Sequence, residues 1–137
     1  MIREIQAGEG ALVAEVLHEL RQHRTVEEIP GLVDGQRAEG YRVVASFVGD
    51  SAVAAAGFRL STNLALGRVI YIDDLVTLPA ARGAGHARAL LDWVAGEAAR
   101  LGCVYVHLDS GTQRNPAHRL YLRAGYDITS FHFVKAI

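Results

Sequence analysis

Three groups of residues carry the chemistry this chain is equipped for. The first is the run Arg82-Gly83-Ala84-Gly85-His86-Ala87, which falls where a β-branched apolar run ends and an amphipathic helix begins. The first backbone N–H groups of a helix have no internal partner, and glycines let an anionic group approach them closely, so the run reads as a phosphate cradle. The second is the adjacent pair Asp73-Asp74, two carboxylates at the end of the preceding apolar run and suited to proton transfer. Neighbours on a strand point to opposite faces, which leaves one of them free to meet a substrate while the other pairs with an arginine such as Arg59 or Arg68. The third is His107-x-Asp109 with His132 downstream, the residue types of a two-histidine, one-carboxylate metal triad. Alternate strand positions often carry His and Asp with no ligand, and three side chains would have to converge, so no metal is expected.

The elements that must hold these groups follow from periodicity. Val69 to Thr77 is a strand; Ala87, Leu90, Leu91, Val94, Ala98 and Leu101 recur at helical steps, with Gly102 as the cap. Cys103 to Asp109 is the next strand, which makes a parallel crossover. Upstream, Ile2 to Gln6 is a strand and Leu12, Val13, Val16, Leu17 and Leu20 form one face of a helix ending near His23. A second helical segment spans about 27–39, interrupted by Pro30-Gly31. Tyr41 to Val48 and Ala52 to Leu60 form a hairpin around Gly49-Asp50-Ser51. Downstream, Pro116 opens a helix through Arg123 that Ala124-Gly125 ends, and two further strands lie near Tyr126 to Ile128 and Phe131 to Ile137. The expected architecture is α/β (α+β), a mixed six- to seven-stranded sheet flanked by about four helices, in the order β-α-α-β-β-β-α-β-α-β-β.

Composition narrows the ligand. The 137 residues are one domain's worth, 50% of them hydrophobic, with a formal net charge of −1 and no basic stripe. That excludes nucleic acid and anionic membrane as main partners and favours a small molecule. A single cysteine, Cys103, cannot form an internal disulfide, and neither a signal-peptide core nor an apolar run of membrane-spanning length is visible, so a cytoplasmic location is expected. The glycine spacing fits neither Gly-x-Gly-x-x-Gly nor a nucleoside-triphosphate loop, which would end in Lys and Ser or Thr where this chain has His86-Ala87.

The hexapeptide matches Arg/Gln-x-x-Gly-x-Gly/Ala, and the chain resembles the Gcn5-related (GNAT) acyl-CoA-dependent N-acetyltransferases. The order of elements is that family's, and Ala117-x-x-x-Tyr121-x-x-x-Gly125-Tyr126 resembles its closing motif. The two motifs span residues 68 to 126. The resemblance implies that Arg82, Gly83, Ala84, Gly85, His86 and Ala87 bind the coenzyme A pyrophosphate, with Arg88 adding charge. It implies that the backbone of Leu75, Val76 and Thr77 pairs with the pantetheine and polarises the thioester carbonyl. Asp73 stands nine positions before the motif's arginine, where several polyamine-acetylating relatives have an acidic residue; it is the first candidate for general base and Asp74 the second. Tyr121 is the candidate general acid: a phenol donating to a thiolate is mismatched by about 1.5 units, roughly 2 kcal/mol, tolerable for a positioned donor. One departure is Arg114, seven residues before Tyr121, where many relatives have Asn; here Asn115 is displaced by one.

The resemblance therefore implies acetyl-CoA as cosubstrate and direct transfer to a primary amine of a small molecule or, second, of a protein. A noncatalytic acyl-CoA sensor on the same fold is the alternative, and a nucleotide-binding regulatory domain is the third reading. Asp73 and Asp109 suit a cationic acceptor, whereas Arg37, Arg42, Arg59 and Arg114 suit an acidic tail. Trp93 and Phe131 to Phe133 are assigned to packing or to the interface of a homodimer.

Overall fold

The computed structural model describes all residues, 1–137. Five strands, β1 (Ile2–Ile5), β2 (Tyr41–Val48), β3 (Ser51–Asn63), β4 (Gly67–Thr77) and β5 (Tyr105–Leu108), form one sheet in chain order. The first four are mutually antiparallel, and β5 is parallel to β4. The helices are α1 (Ala14–Leu20), α2 (Ile29–Gln36), α3 (His86–Arg100) and α4 (Asn115–Arg123). Helix α2 is not interrupted at Pro30: the proline lies in its first turn, where its missing N–H costs nothing.

Alternation along the strands sorts the core into two layers. Val43, Ala45 and Phe47 face α1 and α2, meeting Val13, Val16, Leu17, Ile29 and Val33. Val44, Ala54, Ala56 and Phe58 face the other way, against Leu90, Leu91, Val94 and Ala98 of α3. Alanines fill the middle of β3 because both faces there lie under helices. Arg42 fastens α3 to the sheet, with Glu4 at 2.6 Å and Glu97 at 2.9 Å.

The sheet has five strands rather than six or seven. Residues 126–137 form neither helix nor strand. Their apolar alternation suits a strand, but a strand exists only when its backbone groups are paired, and this segment makes no backbone ladder with β5. Ile128, Phe131, Phe133 and Val134 are at least 80% exposed as a result. Cys103 also lies outside the strand, just before β5, where it is partly buried.

Candidate active site

The sheet is irregular where the acidic pair sits. In the β3–β4 register Gly57 opposes Asp74 and Phe58 opposes Ile72, so Asp73 is an extra residue on β4. Such a bulge breaks the alternation of faces. Asp73 and Asp74 therefore line the same cleft instead of pointing to opposite faces.

Their surroundings divide them. Asp74 has both oxygens engaged: Arg21 Nε donates to Oδ1 at 2.8 Å, and the Tyr41 hydroxyl donates to Oδ2 at 2.7 Å. Arg21 also donates to the Asp73 carbonyl at 2.9 Å, so Asp74 fixes the end of α1 to β4. Asp73 accepts from Arg59 Nε at 2.9 Å through Oδ2, while its Oδ1 is buried without a partner. Burial pushes the Asp73 carboxyl above its ordinary value, against the opposing pull of Arg59. A carboxylate with a raised pKa and a vacant lone pair is the better base of the two.

Tyr41 reaches Asp74 only because Gly57 has no side chain. A Cβ there would lie 1.9 Å from the Tyr41 hydroxyl oxygen. Arg59 completes the cluster, with its guanidinium 5.3 Å from the Tyr41 ring centre and a 2.6 Å bond to Gln36 of α2. Tyr41, Arg21 and Gly57 were not found from sequence; the glycine in a strand interior was the one available signal.

Two clefts meet at Asp73 and Arg21. The larger, about 550 Å³, lies between α1, α2 and β4 and is lined by Leu17, Ile29, Leu32, Tyr41 and Tyr71 as well as the acidic pair. The smaller, about 130 Å³, holds Asp73, Leu75, Asp109, Ser110, Arg114, Ala117 and Tyr121. The structure thus brings Asp73 and Tyr121 to one cavity. Burial without a hydrogen bond raises the pKa of Tyr121, keeping its phenol protonated, and Arg114 opposes that shift. Arg114 stands at the start of α4 and lines this cleft, whereas Arg37, Arg42 and Arg59 are committed to Asp34, Glu4 and Asp73.

Strand β5 pairs with β4 only as far as Ile72 opposite Leu108, so β4 runs on to Thr77 with one edge open. The Leu78 amide donates to Val53 on β3. By strand alternation the Val76 amide also faces β3, which leaves those of Leu75 and Thr77 on the open edge. Beyond it, Gly83 (φ +82°) and Gly85 (φ +85°) take the left-handed conformation, and a Cβ at either would meet nothing within 4 Å. Their need for glycine is conformational, and open space lies in front of the turn. The first bond of α3 runs from Ala89 to Gly85, so the amides of His86, Ala87 and Arg88 have no helical acceptor. No acidic residue occupies that turn. The turn thus presents three backbone N–H groups without helical acceptors to open space.

Side chains around it behave differently from the expectation. His86 is the first residue of α3, and its Nδ1 shares a 2.8 Å hydrogen bond with the buried Ser46 hydroxyl. Arg82 donates to the Thr77 carbonyl and approaches Glu19 on α1, while Arg88 pairs with Asp92 along the helix surface. The metal-like triad does not assemble. His107 packs edge-on against Tyr71, and Asp109 accepts from the Tyr71 hydroxyl at 2.7 Å. Burial, and after it that contact, push Tyr71 up to about 12.

Comparison with known proteins places this architecture. Residues 12–126 match the model of the acetyltransferase (GNAT) family, and the chain belongs to that family. It is similar to the uncharacterized N-acetyltransferase YhdJ of Bacillus subtilis strain 168, 31% identical over 124 residues that cover 89% of this chain and 87% of that one. It is also similar to the aminoalkylphosphonate N-acetyltransferase of Salmonella typhimurium, 41% identical over 66 residues, 48% of this chain and 43% of that one. The fold is shared with the ribosomal-protein-alanine N-acetyltransferase of Brucella melitensis biovar Abortus, at a TM-score of 0.87 and 19% identity over 100% of this chain and 99% of that one. The protein is an N-acetyltransferase of a family that uses acetyl-CoA. No helix is long and apolar enough to cross a membrane.

Proposed function

We propose that the chain transfers an acetyl group from acetyl-CoA directly to a primary amine of a small molecule. The observation that carries this reading is the shared cavity of Asp73 and Tyr121, in which a carboxylate with a free buried oxygen, standing where two clefts meet, shares the smaller cleft with a protonated phenol. Acetyl-CoA supplies the activated acyl carbon. The amides of His86, Ala87 and Arg88 hold its pyrophosphate, and those of Leu75 and Thr77 pair with the pantetheine and polarise the thioester carbonyl. Asp73 Oδ1 takes the proton of the acceptor ammonium, a group with a pKa of about 10.4 in a lysine-like amine. The C–N bond forms as the C–S bond breaks, Tyr121 gives its proton to the departing thiolate, and the second proton shed by the acylated nitrogen restores the phenol, so that the net reaction gives the amide, the free thiol and one proton on Asp73.

The larger cleft suits the acceptor. Asp73 and Asp74 line it together with His23, Arg24 and apolar Leu17 and Leu32, while Arg21 is held by Asp74. This pattern favours an amine whose far end is anionic, such as an aminoalkyl acid; the partial relative that acts on aminoalkylphosphonates points the same way. Acetyl-CoA-dependent thiol release across aminoalkyl acids, polyamines and peptides tests the proposal. Aminoalkyl acids are expected to be turned over; release with peptide amines and with none of the small molecules would refute it.

A further inference from the structure

One cation at the site has no work assigned to it so far. Of the two arginines that line the smaller cleft, Arg21 is held by Asp74, while Arg114 forms neither an ion pair nor a capping bond. Its backbone is nevertheless fixed: the Arg114 amide donates to the Gly111 carbonyl at 3.0 Å, and its own carbonyl accepts from the His118 amide at 3.1 Å. The position runs against electrostatics. A helix start is positively polarised and disfavours a cation, and no acidic side chain in the first turn of α4 offsets it. The fold gains nothing from an arginine here, which leaves the cleft that it lines.

Arg114, Ala117 and Tyr121 follow at helical steps along α4, share one face and all line this cleft. Helical side chains lean toward the N-terminus, so the Tyr121 phenol is carried back toward Arg114, and Ala117 between them is too small to separate the two. The Ser110 hydroxyl, buried without a partner, lines the same space. The carboxylates there are engaged, Asp73 by Arg59 and Asp109 by the Tyr71 hydroxyl. Burial raises the Tyr121 phenol and Arg114 is the one charge that draws it back, so the field of the guanidinium reaches the proton donor. We propose that Arg114, assisted by the Ser110 hydroxyl, stabilises the negative charge that develops on the coenzyme A sulfur as the C–S bond breaks. The inference rests on the transfer reaction proposed above. The electron pair of the C–S bond comes to the sulfur, the Tyr121 proton follows it, and Arg114 exchanges no proton. A fixed cation beside developing charge lowers the barrier to breaking that bond before the proton arrives.

Arg114→Gln and Arg114→Lys test it, with single-turnover acetyl transfer to whichever amine the unmodified chain accepts, acetyl-CoA affinity by calorimetry and folding by circular dichroism. The Gln variant should fold, bind acetyl-CoA within about twofold of the unmodified chain and transfer about tenfold or more slowly, and the Lys variant should recover most of that loss. In a Tyr121→Phe background, where the sulfur leaves without its proton donor, Arg114→Gln should cost at least as much again. An unchanged rate in the Gln variant would overturn the inference. So would a lost affinity with the rate kept, which would make Arg114 a ligand of the coenzyme's phosphates, or no further cost in the Phe background, which would have it act only through the phenol. An unmodified chain that acetylates no amine would overturn the transfer reaction on which the inference rests, an outcome distinct from an active chain whose Gln variant is equally active.

Discussion

The Tyr41 hydroxyl donates to Asp74 Oδ2 at 2.7 Å through the space that the missing side chain of Gly57 leaves open. Three strands meet in that contact, and with Arg21 it engages both oxygens of Asp74, leaving the vacant oxygen on Asp73. Gly57→Ala forces Tyr41 aside. We expect a loss of about 1–3 kcal/mol in urea denaturation and a raised KM for the acceptor, with acetyl-CoA affinity unchanged. Unchanged stability and KM would mean that the Tyr41–Asp74 contact does not fix the cleft.

Asp73 sets a second expectation. Burial raises its carboxyl, so the group takes up a proton at a higher pH than an ordinary aspartate does, and the base is lost as pH falls through that value. The rate should therefore show an acid limb displaced upward from a normal aspartate. Asp73→Asn should lower kcat by about 10²-fold or more and abolish that limb. A limb of the same position in the variant would assign it to another group.

The cradle makes a ligand-specific prediction. Gly85 precedes α3 at φ +85°, a conformation that costs an L-residue about 1–2 kcal/mol. Gly85→Ala should weaken coenzyme A by about tenfold in calorimetry, equivalent to about 1.4 kcal/mol. An acetyl thioester lacking the pyrophosphate should be used equally well by both proteins. An equal loss for both donors would place the damage away from the phosphate.

Much of this was legible in the chain, for reasons that differ by element. The crossover β4–α3–β5 and the glycine turn announce themselves because local periodicity and backbone conformation are written in neighbouring residues, Val69 to Leu101. The side-by-side placement of Asp73 and Asp74 was not legible, since the bulge depends on register against Gly57 across the hairpin. Tyr41 and Arg21 were missed for the same reason: each acts on a residue more than thirty positions away. The two last strands, expected from apolar alternation near Tyr126 to Ile128 and Phe131 to Ile137, do not form, because alternation in a segment does not supply the backbone partner that a strand needs.

We propose that Tyr121 protonates the leaving thiolate across the cavity it shares with Asp73. Its most direct test is Tyr121→Phe, with kcat measured by thiol release and acetyl-CoA affinity by calorimetry. The account predicts a kcat reduced by about 10²-fold or more with affinity nearly unchanged. A variant that turns over at the rate of the unmodified protein would contradict it.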